Sequence, residues 1–185
     1  MSSTQENEPP SRSITGLPEA LSEVPWSADF VMQVIEILPV TLREGAIIQV
    51  QPNHADSFIV GWPAGREPAD VAVGALSRLG FDPIVVHSTS WRYAESEVVL
   101  TYLAVVSPTT EPPASWGTTP VQRSDLARGE ATTAPANIAV AQVLEHALRH
   151  LSWLTKDDAA IAAALPDWGN VLTSYLPEPF RQLAE

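Results

Sequence analysis

The chain has 185 residues, with 10 basic against 22 acidic side chains, a net charge of −12 and no cysteine. That length suits one domain burying about 70% of its unfolded surface, a core that needs no covalent staples. The missing thiols exclude disulfides and thiolate metal sites, and the acidic balance opposes the phosphate contacts on which binding to nucleic acids and anionic membranes rests.

Residues 1–14 are polar and carry Pro9 and Pro10, the composition of a flexible tail, and 15–185 are expected to form a single domain. Neither a signal peptide nor a membrane span is visible, which suits a cytoplasmic protein. A short helical turn is expected at Pro18 to Ser22. From Ser27, SADFVMQVIEILP sets Asp29, Gln33 and Glu36 at helical spacing, with a serine to cap and Pro39 to stop. A helix is expected there, because a strand would bury Glu36 beside Met32 and Val34. Two β-prone runs, Ala46 to Gln51 and Ser57 to Trp62, flank the turn residues Pro52 to Asp56 and read as a hairpin. Pro68 then opens a helix over Ala69 to Leu79, whose stripe of Val71, Ala72, Ala75, Leu76 and Leu79 is closed by Gly80.

Ile84 to Val106 reads as the central hairpin. Its second arm is apolar on both faces and is therefore covered on both. Its first arm turns polar: Ile84, Val86, Ser88 and Ser90 share one face, Val85, His87, Thr89 and Trp91 the other. The turn falls within Arg92 to Glu97 and lacks an Asn-Gly pair, so a loop longer than two residues is expected. Residues 107–137 are a Pro/Thr-rich loop. Helices follow at Ile138 to Leu154 and Asp157 to Ala164, then a docked C-terminal helical segment carrying Trp168, Tyr175 and Phe180. The whole predicts an α+β domain, its mainly antiparallel or mixed sheet built from two hairpins with helices packed on its faces.

Two surfaces concentrate chemistry. On the helix AVAQVLEHALRHLSWL, Val140, Leu144, Ala147, Leu148, Leu151 and Leu154 form the core stripe, leaving His146, Arg149, His150 and Trp153 on the other side. His146 and His150 at i, i+4 can share a divalent metal, although Glu145 precedes the pair rather than following its first member, and the plainer reading is a lightly covered polar face. Trp153 on that face predicts a cover from the C-terminal segment. The second surface is His87, Thr89, Trp91 and Arg92, either a small polar pocket or hydroxyl bonding near a sheet end. His87 and Ser88 point to opposite faces, so they form no catalytic pair, and Gly-x-Ser-x-Gly, Gly-x-x-x-x-Gly-Lys and Gly-x-Gly-x-x-Gly are absent.

The run SFIVGWPAGREPADVAVGALSRLGFDPIVVHSTSW, from Ser57, resembles a Nudix domain in the order strand, proline-glycine turn, helix closed by glycine, strand. With Gly80 on the closing glycine and Phe81 after it, Ser77 and Arg78 take the places of the family's two metal-binding glutamates, and Val73 and Gly74 those of its Arg-Glu pair. The resemblance thus implies the fold without the magnesium-dependent pyrophosphate cleavage. HSTSWRY, EHALRHLSWL and SYLPEPF also resemble uncharacterised actinobacterial proteins of this size, which implies no activity.

The leading expectation is a non-catalytic binding or interaction domain that uses these two surfaces on a protein partner or small molecule, with no cofactor implied. The alternatives are a metal-dependent hydrolase on His146 and His150, completed by Glu145, Asp157 or a residue of the HSTSW strand, and a Nudix-like phosphohydrolase with non-standard ligands.

Overall fold

A computed structural model describes residues 32–94, 97–126 and 138–176. The expected tail, the turn at Pro18 to Ser22, residues 127–137 of the Pro/Thr-rich loop and Phe180 lie outside the described residues. The elements are β1 (Met32–Arg43), β2 (Ala46–Pro52), β3 (Phe58–Gly61), α1 (Pro68–Arg78), β4 (Pro83–Ala94), β5 (Glu97–Val106), β6 (Trp116–Pro120), α2 (Val140–Asp157), α3 (Ala159–Ala164) and α4 (Trp168–Val171), followed by a 3₁₀ turn at Leu172–Ser174. The strands form one sheet in the order β4-β5-β1-β2-β6, with β3 also paired to β1. β1 and β5 are parallel and every other pairing is antiparallel, so the α+β sheet is mixed.

β1 replaces the helix expected after Ser27. Val34, Ile35, Ile37, Val40 and Thr41 are β-branched and favour a strand, which overrides the helical spacing of the few polar residues. Glu36 is indeed buried, at 1% exposure. Its carboxylate is satisfied there: Oε2 accepts from Arg92 at 2.7 Å and Thr101 at 2.9 Å, and Oε1 accepts from Arg92 at 2.8 Å and Ser57 at 3.0 Å. Burial by itself raises the Glu36 carboxyl, but the Arg92 bonds and charge, with Thr101 and Ser57, outweigh it and hold the group below its ordinary range.

β2 and β3 do not form the expected hairpin. Both lie along β1, β3 against Val34 to Ile37 and β2 against Val40 to Arg43. Pro39, with no N–H to give, falls in the gap between the two pairings. The hairpin is instead β1–β2, turned at Glu44 (φ 51°) and Gly45 (φ 77°), both left-handed as a two-residue turn of matching twist demands. In the other hairpin β4 pairs with β5 up to Ala94 and Glu97, so its connection is two residues long and not the longer loop expected.

Helices cover both faces. Against α1 lie Ile35, Ile37, Val50, Phe81, Tyr102, Ala104 and Val106. β6, inside the stretch read as a loop, brings Trp116 to 5.2 Å from the Phe58 and Phe81 rings at the rim of this core. The other face buries Leu38, Val40, Val85, Leu103 and Val105 against Leu144, Leu148 and Leu151 of α2, with Trp168, Leu172 and Tyr175 of the C-terminal segment. That segment packs on the core side of α2, where Ser152 Oγ donates to the Leu172 carbonyl at 3.0 Å. The predicted cover over Trp153 is therefore absent from the described residues, and Trp153 is 48% exposed. The helix's core-facing stripe has room for this second layer because Ser152 and Glu145 widen it.

Breaking one half of a buried ion pair costs more than replacing both halves by apolar groups. Arg92→Ala should cost about 3–5 kcal/mol in urea unfolding, whereas the double variant Glu36→Met, Arg92→Met should cost much less. A loss below about 1 kcal/mol in the single variant would show that the pair is not holding the sheet.

Candidate functional site: a histidine cluster between helix and edge strand

After a first register shift between Pro83 and Val85, side chains alternate along β4 until Thr89. Val85 and His87 stand opposite Val105 and Leu103, on the α2 face, but after Ser88 pairs with Tyr102 the register slips and Ser90 pairs with Thr101. Thr89 is the extra residue of a β-bulge, its hydroxyl donating to the Thr101 carbonyl at 3.3 Å. One additional residue inverts the parity of everything after it. Arg92, which regular alternation would place with Val86 and Ser88, thus reaches the α2 face and Glu36. Trp91 goes to the opposite face with Tyr93, 71% and 65% exposed, and so leaves the pocket expected around His87.

On α2, His146 and His150 meet β4, which the periodicity, placing them only opposite the core stripe, does not predict. The His150 ring centre lies 4.5 Å from that of His146 and 6.1 Å from that of His87. His87 and Thr89 of one candidate surface therefore meet His146 and His150 of the other. His146 also hydrogen-bonds the backbone of Thr89 in the sense that favours the protonated ring, which identifies the carbonyl as its partner and docks helix to bulge. All three imidazoles are half-buried and held below the ordinary 6.5. Burial is the largest cause in each, with the charge of His150 adding to it at His87 and His146. Near pH 7 the cluster is consequently neutral.

Glu145 does not join it. It is 1% exposed and accepts from Arg123 at 2.9 and 2.7 Å and from Arg149 at 2.9 Å. Arg123 also donates to the Ser174 carbonyl at 2.9 Å and lies 4.3 Å from the centre of the Tyr175 ring, tying the chain after β6 to the C-terminal segment. Burial raises the Glu145 carboxyl, but the two arginines and the Ser124 amide hold it below its ordinary value. Among the described residues no three His, Asp or Glu side chains form a group able to hold a metal ion, so Glu145 and Asp157 do not complete the shell expected around His146 and His150.

The magnesium implied by the Nudix resemblance fares no better on α1. Val73, Gly74, Ser77 and Arg78 stand at the box positions, and the only acidic residue of α1 is Asp70, in its first turn. These residues do not fit that ion. Sequence reasoning missed Glu36, Ser57, Thr101 and Arg123. Glu36 alone was legible in part, since a glutamate in a β-branched run and Arg92 in a polar strand require one another once both are buried.

No protein-family model matches the chain, and no curated protein matches it. Among solved structures it is similar to MutT from Aliivibrio salmonicida and Vibrio cholerae, at 12% identity, covering 49% of this chain and 79% of that one with a TM-score of 0.36. The E. coli ORF135 protein matches at 13%, covering 51% and 77%, with a TM-score of 0.36. The C. elegans Ap4A hydrolase matches at 10%, covering 78% and 100%, with a TM-score of 0.38. These neighbours are Nudix hydrolases, on the side of the alternative reading and not of the expected non-catalytic binding domain. Among the described residues no helix is long and apolar enough to cross a membrane.

The sign of the acid response follows from the buried carboxylates. A carboxyl held below its unfolded value of 4.5 stabilises the fold above that pH and loses its contribution as pH falls through the folded value. Unfolding free energy should therefore decline below pH 4.5, and Glu145→Gln, weaker at pH 7, should decline less steeply. Parallel curves for the two proteins would mean that Glu145 has no depressed titration.

Proposed function

We propose that the protein is a hydrolase whose reaction runs on the His87, His146 and His150 cluster. The observation that carries this reading is the meeting of three imidazoles from two different elements in one half-buried site. Acid–base hydrolysis needs a base to take a proton from the attacking water and an acid to return one to the leaving oxygen, and imidazoles near neutrality do both. Interacting rings titrate as a unit. A cluster that has taken up one proton holds an acid and a base side by side, and the shared charge opposes a second proton.

His150, adjacent to both other rings, is the proton-transfer group in this reading. His146 is the positioning residue, its ring docked on the Thr89 backbone. Phosphate esters and anhydrides are the proposed substrate class, because β3, α1 with Gly80 at φ 82°, and β4 follow one another in the Nudix order. The chemistry differs from that family's, since the box positions of α1 carry no carboxylate.

The test is turnover of nucleoside diphosphate derivatives and of bis(p-nitrophenyl) phosphate, with magnesium and with a chelator. Wild type should give a bell-shaped pH dependence of kcat/KM, and His150→Ala should lower kcat roughly 10²–10⁴-fold. Turnover of none of these substrates, or turnover unchanged in His150→Ala, would remove the reading.

A further inference from the structure

We infer that the three imidazoles form an acid-sensitive clasp between α2 and β4, closed while they are neutral and opened by the second proton they take up. The geometry carries it. β4 is the outer strand of the sheet, with β5 on one side and no strand on the other among the described residues. α2 meets it through His146 and His150, on consecutive turns, which face His87 and the Thr89 bulge. Across helix and strand the close pair is His87 and His150, whose ring centres lie 6.1 Å apart, and two charges at that separation repel where water is partly excluded. A proton on each of these two rings is therefore relieved by moving the helix from the strand, whereas the 4.5 Å pair, His146 and His150, lies on α2 itself.

The surrounding charges do not relieve that repulsion. On α2, Arg149 adds positive charge beside His146, and Glu145 is already closed by Arg123 and Arg149. On β4, Arg92 is closed by Glu36 of β1. The neighbouring strand β5 contributes Thr101, Leu103 and Val105 on this face, and α3, AAIAAA, has no ionisable side chain. The linkage has one sign: each ring binds its proton more weakly in the closed form, so the open form gains as pH falls below 6.5. The carboxylates of Glu36 and Glu145 titrate below 4.5, outside that window.

This inference concerns the same residues as the proposed hydrolysis but is read without substrate. Amide hydrogen exchange of the full chain, corrected for the intrinsic pH dependence of the rate, compares α2 with α1 on the opposite face. Protection of α2 should fall several-fold between pH 7.5 and 5.5, while that of α1 holds. His150→Gln, which cannot take up a proton, should flatten the response. Should that variant fail to fold, His87→Gln is expected to reduce the response in the same way. Constant α2 protection in the wild type, or undiminished loosening in whichever variant folds, overturns the clasp. Absence of any turnover overturns only the hydrolase reading, so the two failures are distinguishable.

Discussion

A carboxylate in the middle of a central strand constrains the rest of this molecule. Glu36 sits in β1, between β5 on one side and β3 on the other, where an unpaired charge costs several kcal/mol. Its four acceptor bonds come from three different strands or their margins: Ser57 just before β3, Arg92 on β4 and Thr101 on β5. Arg92 spans from the outer strand across β5 to reach it. That reach is possible only from the α2 face, and the parity of β4 puts Arg92 there only because Thr89 is inserted into the ladder. The bulge then exposes backbone to α2, and His146 uses it. The ion pair of the core and the cluster at the surface thus depend on the same extra residue.

A second arginine–carboxylate knot organises the other end of the face. Glu145 draws Arg123 from the chain after β6 and Arg149 from its own helix, and Arg123 continues to the Ser174 carbonyl and the Tyr175 ring. Arg123 is 47% exposed, so its bonds are screened and contribute less than their lengths suggest. Their larger effect is geometric. They fix the side of α2 on which the C-terminal segment lies, and so leave His146, His150 and Trp153 to the other side.

The sequence was informative wherever burial follows a local period. β5, apolar at both parities, is covered on both faces; Leu144, Leu148 and Leu151 lie in the core; α1 runs from Pro68 and Gly80 follows at φ 82°. It misled where a distant partner decides. Glu36 argued against a strand because nothing local could satisfy it, and its partners lie 21 to 65 residues away. Alternation along β4 was sound up to Ser88 and inverted afterwards, since a bulge leaves no mark in a run of hydroxyl residues. Glu44-Gly45 reads as a turn only once the residues before it form a strand. Trp153 was expected to need a cover, yet a single half-exposed tryptophan is a stable outcome when the segment that would shield it gains more by burying Trp168, Leu172 and Tyr175 elsewhere.

The sheet separates two faces that can change independently. On one, α1 comes between β3 and β4 in the chain order, and its positions Val73, Gly74, Ser77 and Arg78 carry no carboxylate. On the other, the imidazoles of α2 and β4 meet across the bulge. Glu36 and Arg92 belong to this second face, and the intervening sheet keeps their charges from the α1 core of Ile35, Ile37 and Leu76. Substitutions on α1 therefore leave the histidine face untouched. What the second face requires is local to it: a buried glutamate that fixes the bulge, and a helix whose polar stripe is turned toward it by the aromatic segment packed on its back.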